Sequence, residues 1–154
     1  MPSALQQELR QRKPFQSAGH EAIVGLLRTA DLVRRQAAAL VEPHGITLQQ
    51  FNVLRILRGG GDAGVATLDV ADRMVEQAPG ITRLLDRLEV KGLVRRQRCT
   101  KDRRQNLCWI TADGRALLEG LDQPVRRATE ACVGGLSRAD QSTLIRLLDA
   151  IRAT

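Results

Sequence analysis

A helix pattern that ends at a glycine and continues directly into a strand pattern constrains this fold more than any other feature of the chain. Pro79 suits the first position of that helix, where its missing N–H is not needed, and Gly92 suits the left-handed stop. Between them, apolar residues recur every three or four positions, which is typical of one buried helix face. These residues are Ile81, Leu84, Leu85 and Leu88.

The residues on either side extend this helix into a larger motif. Thr67 is placed to cap a short helix that runs to Met74, and residues 75–78 form a turn before the next helix. Two short helices joined by a tight turn are typical of a helix-turn-helix. Downstream, residues 93–98 and 107–110 flank a polar, charged tip, which predicts a β-hairpin. The combination predicts a winged helix-turn-helix.

Helices are also predicted upstream of this motif. Residues 1–18 are polar, contain two prolines and favour a flexible arm. An amphipathic helix follows from Gly19 to Val41, with apolar residues three or four apart. Thr47 then caps a second helix, which ends at the glycines 59–61.

Further helices are predicted downstream. Thr111 caps a helix that runs to about Leu121, and Pro124 either kinks it or starts a new one. Ser137 opens the last helix, with Asp140 at the capping-box position. Apolar residues again line one face of this last helix.

The expected fold is mainly α with a small β-hairpin wing. A flexible arm occupies residues 1–18, and a winged helix-turn-helix domain occupies residues 46–121. The helical dimerisation region combines residues 19–45 and 122–154. Its long aliphatic faces are more than a monomer of this size can easily cover, so we expect them to pack against a second copy.

Positive charge is concentrated on the helix-then-hairpin segment. Residues 73–104 contain ten Lys or Arg and four Asp or Glu, so they carry +6 of the chain's net +7. A charge kept for solubility would be spread more evenly, whereas one local excess is typical of a nucleic-acid footprint. With two Phe, one Trp and no Tyr, the chain lacks the aromatic rings on which RNA and single-strand binders stack bases. Double-stranded DNA is the favoured partner.

Several other classes of protein are disfavoured. The chain has no apolar run of the roughly 20 residues that a membrane helix needs, and no signal-peptide core, so we expect a cytoplasmic protein. Cys99, Cys108 and Cys132 lack CxxC spacing, which argues against a disulfide framework or a zinc knuckle. His20 and His44 have no partners at metal-ligand spacing. Without a phosphate loop, nucleophile elbow or metal motif, we expect neither enzymatic activity nor a cofactor.

Three motifs, in this order and spacing, resemble those of the MarR (multiple antibiotic resistance regulator) family. The recognition-helix segment 78–94 contains the family's Leu-Glu-x-x-Gly-Leu. Asp102-Arg103-Arg104 matches the Asp-x-Arg of the family's wing, and Ile110 to Gly114 matches its Leu-Thr-x-x-Gly. The resemblance covers about residues 19–152, and it is specific because all three motifs occur together.

The resemblance implies a homodimer on a pseudo-palindromic DNA site. The recognition helix from Pro79 would enter the major groove, and the wing would insert Arg104, oriented by Asp102, into the neighbouring minor groove. Members are often repressors that a small, frequently aromatic anion releases from DNA by changing the spacing of the recognition helices. The alternative is a non-specific or architectural DNA-binding protein without an effector.

The candidate DNA contacts lie in the helix-turn-helix and the wing. Arg83 can pair with a guanine or contact a phosphate, and the alternative is a solvated helix face. Gly80 departs from the Ser or Thr common at this position in the family. It lacks the hydroxyl that could contact a phosphate, so only its backbone N–H is available for that contact. Asp86 is expected to pair with Arg83 or Arg87 within the helix. The full set is Thr67, Gln77, Pro79, Gly80, Thr82, Arg83, Arg87, Arg96, Arg98, Lys101, Asp102, Arg103 and Arg104.

Three further expectations concern the hairpin. Arg95, Arg96 and Arg98 cannot all face DNA, because side chains alternate along a strand. Cys99 lies among cations that favour thiol oxidation, so a redox-responsive regulator that uses Cys99 is a further alternative. Cys108 is expected to be a small buried core residue.

Overall fold

The structure, a computed structural model, describes residues 1–77 and 79–154. Ala78, placed by the sequence at the end of the turn before Pro79, lies outside them. The helices are α1 (Ala4–Glu8), α2 (Ala18–Val41), α3 (Leu48–Gly59), α4 (Thr67–Asp72), α5 (Ile81–Val90), α6 (Ala112–Cys132) and α7 (Arg138–Arg152), and the strands are β1 (Val65–Ala66), β2 (Val94–Arg98) and β3 (Asn106–Ile110). The expected fold class, mainly α with a small β-hairpin wing, is confirmed. None of the helices in the described ranges is long and apolar enough to cross a membrane.

The strands form one antiparallel sheet in the order β1-β3-β2. β2 and β3 form the predicted hairpin, with Val94 opposite Ile110. The sequence does not predict β1, which pairs with the other edge of β3 and places Val65 opposite Cys108. Because β1 leads directly into α4, this pairing ties the start of the helix-turn-helix to the wing.

The end of the hairpin is held at Thr111. Its N–H donates to the Leu93 carbonyl at 3.1 Å, and its hydroxyl donates to the Gly92 carbonyl at 2.7 Å. The same hydroxyl accepts from the Gly114 N–H at 3.1 Å and so caps α6. A Cβ at position 114 would lie 2.5 Å from the Leu93 carbonyl oxygen, so only glycine fits. The Thr-x-x-Gly motif is thus the joint between α5, the hairpin and α6.

The predicted N-caps of α3, α6 and α7 are confirmed. Thr47 and Gln50 form a reciprocal capping box at the start of α3, and Ser137 and Asp140 form one at the start of α7. Each cap bond joins residues three positions apart, which is why the local sequence suffices to predict them.

The predicted starts of α4 and α5 are wrong. α4 begins at Thr67 itself, with Ala66 in the N-cap position and no side-chain cap bond. α5 begins at Ile81, because Gly80 has a left-handed φ of 88° that a right-handed helix cannot contain. Pro79 therefore lies in the turn before α5 rather than at its first position.

Two further helices differ from their expected bounds. Residues 4–8, within the expected arm 1–18, form α1 with Ser3 as its N-cap. α6 does not end near Leu121 but continues as one helix through Pro124 to Cys132.

The chain divides into two compact units, residues 1–36 and residues 37–154. In the first, Leu5 lies close to Gly25 of α2, and Glu8 Oε1 accepts from Arg28 Nε at 2.9 Å. In the second, α3, α4, α5, the sheet and α6 enclose one hydrophobic core. Its largest fully buried side chains are Val41, Val53, Leu54, Leu57, Val70, Leu85, Leu88, Cys108, Leu118 and Leu121.

An ion pair joins α3 to α6 at the edge of this core. Arg58 Nη1 and Nη2 donate to the two carboxylate oxygens of Asp122 at 2.9 and 3.0 Å. This bidentate geometry holds the pKa of Asp122 below its ordinary value and raises that of Arg58.

Candidate nucleic-acid interface

Helix α5 has one buried and one exposed face. Leu85 and Leu88 are fully buried, whereas Thr82, Arg83 and Arg87 are exposed. Arg83 thus points away from the core, as the helical pattern predicts. The exposed face presents a hydroxyl and two guanidinium groups, which are donors suited to base edges and phosphate oxygens.

The turn before α5 is anchored by a residue that the sequence does not single out. Asn52 Oδ1, on α3, accepts from the Val75 N–H at 2.9 Å. Val75 is itself 87% exposed, so the anchor acts on the backbone of the turn rather than on a side chain. Asn52 lies between the buried residues Phe51 and Val53, and no local signal marks it. Gln77, one of the predicted DNA contacts, is exposed in this turn.

The C-terminal end of α5 is anchored by Lys91. Its Nζ donates to the Gly45 carbonyl and, at 3.4 Å, to Gln50 Oε1. Gln50 is buried, and its Oε1 also accepts from the Thr47 N–H at 3.0 Å. Lys91 therefore joins α5 to the start of α3, so this member of the basic segment has an internal partner.

The wing tip is a cationic turn with a fixed backbone. The Cys99 N–H donates to the Gln105 carbonyl at 2.8 Å, and the Gln105 N–H donates to the Asp102 carbonyl at 3.0 Å. Asp102 Oδ1 accepts from the Arg104 backbone N–H at 3.0 Å. Asp102 therefore orients the main chain at Arg104, not the guanidinium. The side chains exposed on this turn and beside it include Arg98, Lys101, Arg103 and Arg104.

Arg95 packs on the sheet face opposite to that of Arg96. Its guanidinium carbon lies 4.2 Å from the ring centroid of Trp109, the residue across the ladder. Trp109 Nε1 donates to the Asp62 carbonyl at 3.0 Å, and the ring leaves no room for a Cβ on Gly64. Strand alternation thus separates Arg95 from Arg96, as expected.

Arg96, one of the predicted DNA contacts, binds two carboxylates of α5. Its Nη2 donates to Asp86 Oδ1 and, at 3.0 Å, to Glu89 Oε1, and its backbone N–H donates to Glu89 Oε2 at 3.2 Å. The expected pairing of Asp86 with Arg83 or Arg87 is wrong. Hydrogen bonding to Arg96 lowers the pKa of Glu89, and hydrogen bonding to Glu89 raises that of Arg96. This pair therefore stays charged at neutral pH.

The cysteines differ in their surroundings. Cys108 is fully buried, as predicted, and burial raises the pKa of its thiol. Its Sγ lies 3.7 Å from the hydroxyl of Thr67, which donates to the Asn106 carbonyl at 3.3 Å. Thr67, another predicted DNA contact, is thus engaged with β3. Cys99 is half-buried at the wing tip. Within residues 1–77 and 79–154, no three side chains are grouped so that they could hold a metal ion.

Comparison with known proteins gives one consistent result. Residues 46–105, from the turn before α3 to the wing tip, match the MarR family model. The chain is 30% identical over 139 residues to the HTH-type transcriptional regulator FarR of Neisseria gonorrhoeae, covering 88% of this chain and 91% of that protein. A MarR transcription factor from Planctomyces limnophilus is 39% identical, with a TM-score of 0.67 over 88% of this chain and 98% of that one. BpsR of Bordetella bronchiseptica, whose DNA binding is regulated by 6-hydroxynicotinic acid, is 26% identical, with a TM-score of 0.74 over 86% and 98% of the two chains.

Proposed function

The chain belongs to the MarR family, and from this premise we propose that it is a homodimeric repressor that a small molecule releases from DNA. As a member of the family it is a DNA-binding transcriptional regulator and not an enzyme. Its proposed partner, chromosomal DNA, is also the reason to place it in the cytoplasm.

The observation that carries this proposal is the exposed face of α5 beside a cationic wing. α5 exposes Thr82, Arg83 and Arg87 while Leu85 and Leu88 are buried, so the helix packs on the core with its polar side outward. A helix of this size fits the major groove, where guanidinium groups can pair with guanine O6 and N7. The exposed cations of the wing tip suit a narrow minor groove, whose negative potential attracts arginine.

The proposed contacts divide between positions that specify sequence and positions that hold the backbone. Arg83 is the proposed base contact, and Arg104 is the proposed minor-groove contact. Asp102 supports Arg104 through the main chain, and the Thr67 hydroxyl supports the sheet. The remaining proposed contacts to bases, sugar or phosphate are Gln77, Pro79, Gly80, Thr82, Arg87, Arg98, Lys101 and Arg103.

The proposed dimer rests on apolar side chains that the monomer leaves exposed. On α2, Ile23 and Leu27 lie four residues apart, on one side of the helix, and Leu27 is 65% exposed. On α7, which has no buried residue in the monomer, Leu144 and Ile151 are exposed. Association of two copies would remove these surfaces from water. A two-fold dimer also matches a palindromic site whose half-site centres lie about 10 bp apart.

The proposed effector is a small hydroxylated aromatic acid. The support is the likeness to BpsR, whose DNA binding is regulated by 6-hydroxynicotinic acid. A ligand of this kind dissociates a repressor only if it binds the DNA-incompetent state more tightly than the DNA-bound state.

The test is a genome-wide pull-down of DNA by the purified protein at physiological salt, followed by sequencing. We expect one enriched inverted repeat for the wild type and for Arg127→Ala, which removes a charge outside the basic segment. Arg83→Ala should lose the enrichment. Sequence-independent retention of DNA by the wild type would contradict the proposal and favour the architectural alternative.

The effector is tested on the DNA recovered in that experiment. Adding 6-hydroxynicotinic acid, and then related hydroxylated aromatic acids, should release the enriched repeat from the wild-type protein in a concentration-dependent way. Retention in the presence of every acid would remove the effector from the proposal while leaving the DNA site in place.

A further inference from the structure

One guanidinium connects the two elements that are proposed to contact DNA. From β2, Arg96 Nη2 reaches Asp86 Oδ1 and Glu89 Oε1 on α5, and the Arg96 N–H reaches Glu89 Oε2. The Arg96 side chain is only 21% exposed, whereas the cations of the wing tip are exposed. We call Arg96, Asp86 and Glu89 the wing clasp.

The clasp lies at the position where the packing of β2 against the core ends. Val94 is buried at the base of β2, and Arg96 is the next residue on the same face of the strand. Beyond it, residues 97–106 contain no buried side chain. Beyond the joint at Thr111 and the buried base of β2, the clasp is therefore the contact between β2 and α5 that acts on the angle of the wing.

We propose that Arg96 is a positioning residue for DNA binding, which fixes the wing relative to α5 by bridging Asp86 and Glu89. The proposal rests on the DNA-binding function proposed above. A dimer on a palindrome must place two recognition helices and two wings in their grooves at once. Fixing the angle before binding reduces the conformational entropy that is lost when the complex forms.

The same geometry argues against Arg96 as a phosphate contact. To reach a phosphate, the guanidinium would have to leave both carboxylates of the clasp. Asp86 and Glu89 would then stand unpaired on a helix that approaches the negatively charged backbone, where like charges repel. Arg98, exposed on the same strand two residues further toward the tip, provides a cation without that penalty.

A charge exchange tests the proposal. Affinity for the enriched repeat is measured by fluorescence anisotropy for the wild type, Arg96→Glu, Glu89→Arg and the double variant Glu89→Arg/Arg96→Glu. Arg96→Glu should weaken binding about tenfold, the size of one charge-assisted hydrogen bond. The double variant should bind about tenfold more tightly than the product of the two single effects predicts, because it restores an ion pair across the clasp. Independent single effects would overturn the proposal.

A second experiment distinguishes the two possible roles of Arg96, because a phosphate contact and a wing clasp predict opposite changes in DNA affinity. Asp86→Asn/Glu89→Gln removes two negative charges and frees the guanidinium of Arg96. If Arg96 contacted phosphate, this variant would bind DNA more tightly, and that result would overturn the proposal. Weaker binding supports the clasp, because the wing has lost its attachment although the protein has become more cationic. Because it leaves Arg96 in place, this experiment tests the role of Arg96 even if Arg96→Glu fails to fold.

The matched control is Arg58→Met. It breaks another guanidinium–carboxylate pair between two elements, Arg58 with Asp122, but away from the proposed interface. We expect its DNA affinity to equal that of the wild type at temperatures where circular dichroism shows both to be folded. If the wild type itself binds no preferred DNA site, the proposed function fails and the clasp fails with it. If the wild type binds but the exchange is additive, only the clasp fails.

Discussion

Helices α5 and α7 are both amphipathic, yet only α5 covers its apolar face within the chain. Leu85 and Leu88 of α5 are fully buried in the hydrophobic core that α3, α4, α5, the sheet and α6 enclose. α7 has no buried residue, and Leu144, Leu147 and Ile151 remain exposed. A similar contrast holds for α2, which buries only Val41. The apolar stripe of α5 thus stabilises the monomer, whereas that of α7 is available to a second copy. Mutations in the first should lower the free energy of unfolding at any protein concentration, and mutations in the second should have effects that depend on concentration.

The largest expected effect is the loss of a core side chain from α5. Leu88→Ala should lower the free energy of unfolding by about 2–5 kcal/mol, because it removes buried methyl groups and leaves a cavity. Urea denaturation would measure this loss, and it should not depend on protein concentration. Leu27→Ala is the matched variant on α2. It should cost little in dilute solution and more as concentration rises, because its cost falls on the dimer. If both variants lost the same free energy of unfolding at every protein concentration, the proposed difference between the buried face of α5 and the exposed face of α2 would be wrong.

The second effect concerns assembly. Leu144→Glu on α7 should raise the dissociation constant of the dimer at least tenfold, since a buried unpaired carboxylate is costly at an apolar interface. Light scattering coupled to size-exclusion chromatography measures the mass of the assembly. Ser142→Glu introduces the same charge on the polar side of α7, and it should remain dimeric. A wild-type protein that is monomeric at every concentration would contradict the proposed dimer.

Much of this fold follows from the sequence because its signals are local. The caps at Thr47, Thr111 and Ser137 join residues three apart, and the stop at Gly92 depends on its own φ of 73°. Strand β1 is different, because a two-residue strand exists only through its register with β3. No pattern within Val65-Ala66 reveals that partner.

The candidate site is predictable in composition but not in its pairings. The sequence places Arg83 and the cations of the wing tip on exposed surfaces, and the structure agrees. It does not reveal that Arg96 pairs with Asp86, because that contact spans ten residues and depends on how the hairpin folds back toward α5. The Asn52 bond to the turn at Val75 is missed for the same reason, since it spans 23 residues.

The third prediction separates binding from stability at the wing tip. Arg104→Ala should weaken binding to the enriched repeat about tenfold, the size expected for one well-placed contact to DNA. Its free energy of unfolding should stay within about 0.5 kcal/mol of the wild type, because the side chain is exposed. Anisotropy and urea denaturation measure the two quantities. Arg95→Ala is the matched variant on the other sheet face, and it should change stability more than binding, through loss of the Trp109 contact. Wild-type affinity in Arg104→Ala would remove the wing from the proposed interface.

Ion pairs show the same contrast between the two regions. Beside the hydrophobic core, Arg58 binds Asp122 across 64 residues of sequence and connects α3 with α6. On α7, Arg152 pairs with Asp149 within one turn of the same helix. The first pair constrains tertiary structure, whereas the second supports only the helix that contains it.

The smallest effect is the pH dependence of the Arg58–Asp122 pair. Arg58→Met should lower the free energy of unfolding by no more than about 1 kcal/mol at neutral pH, because both side chains are partly exposed. The pH dependence follows from Asp122, because the hydrogen bond from Arg58 holds the pKa of this carboxyl below its ordinary 3.8.

A carboxyl whose pKa is lowered on folding contributes its full stabilisation at pH values above its ordinary pKa. It loses that stabilisation as the pH falls through its pKa in the folded protein. The difference between the wild type and Arg58→Met should therefore be constant down to about pH 5 and shrink below about pH 4. Arg152→Met should show a smaller difference at every pH, since its pair is local. A larger pH-dependent loss of unfolding free energy for Arg152→Met than for Arg58→Met would contradict the view that the Arg58–Asp122 pair contributes more to stability.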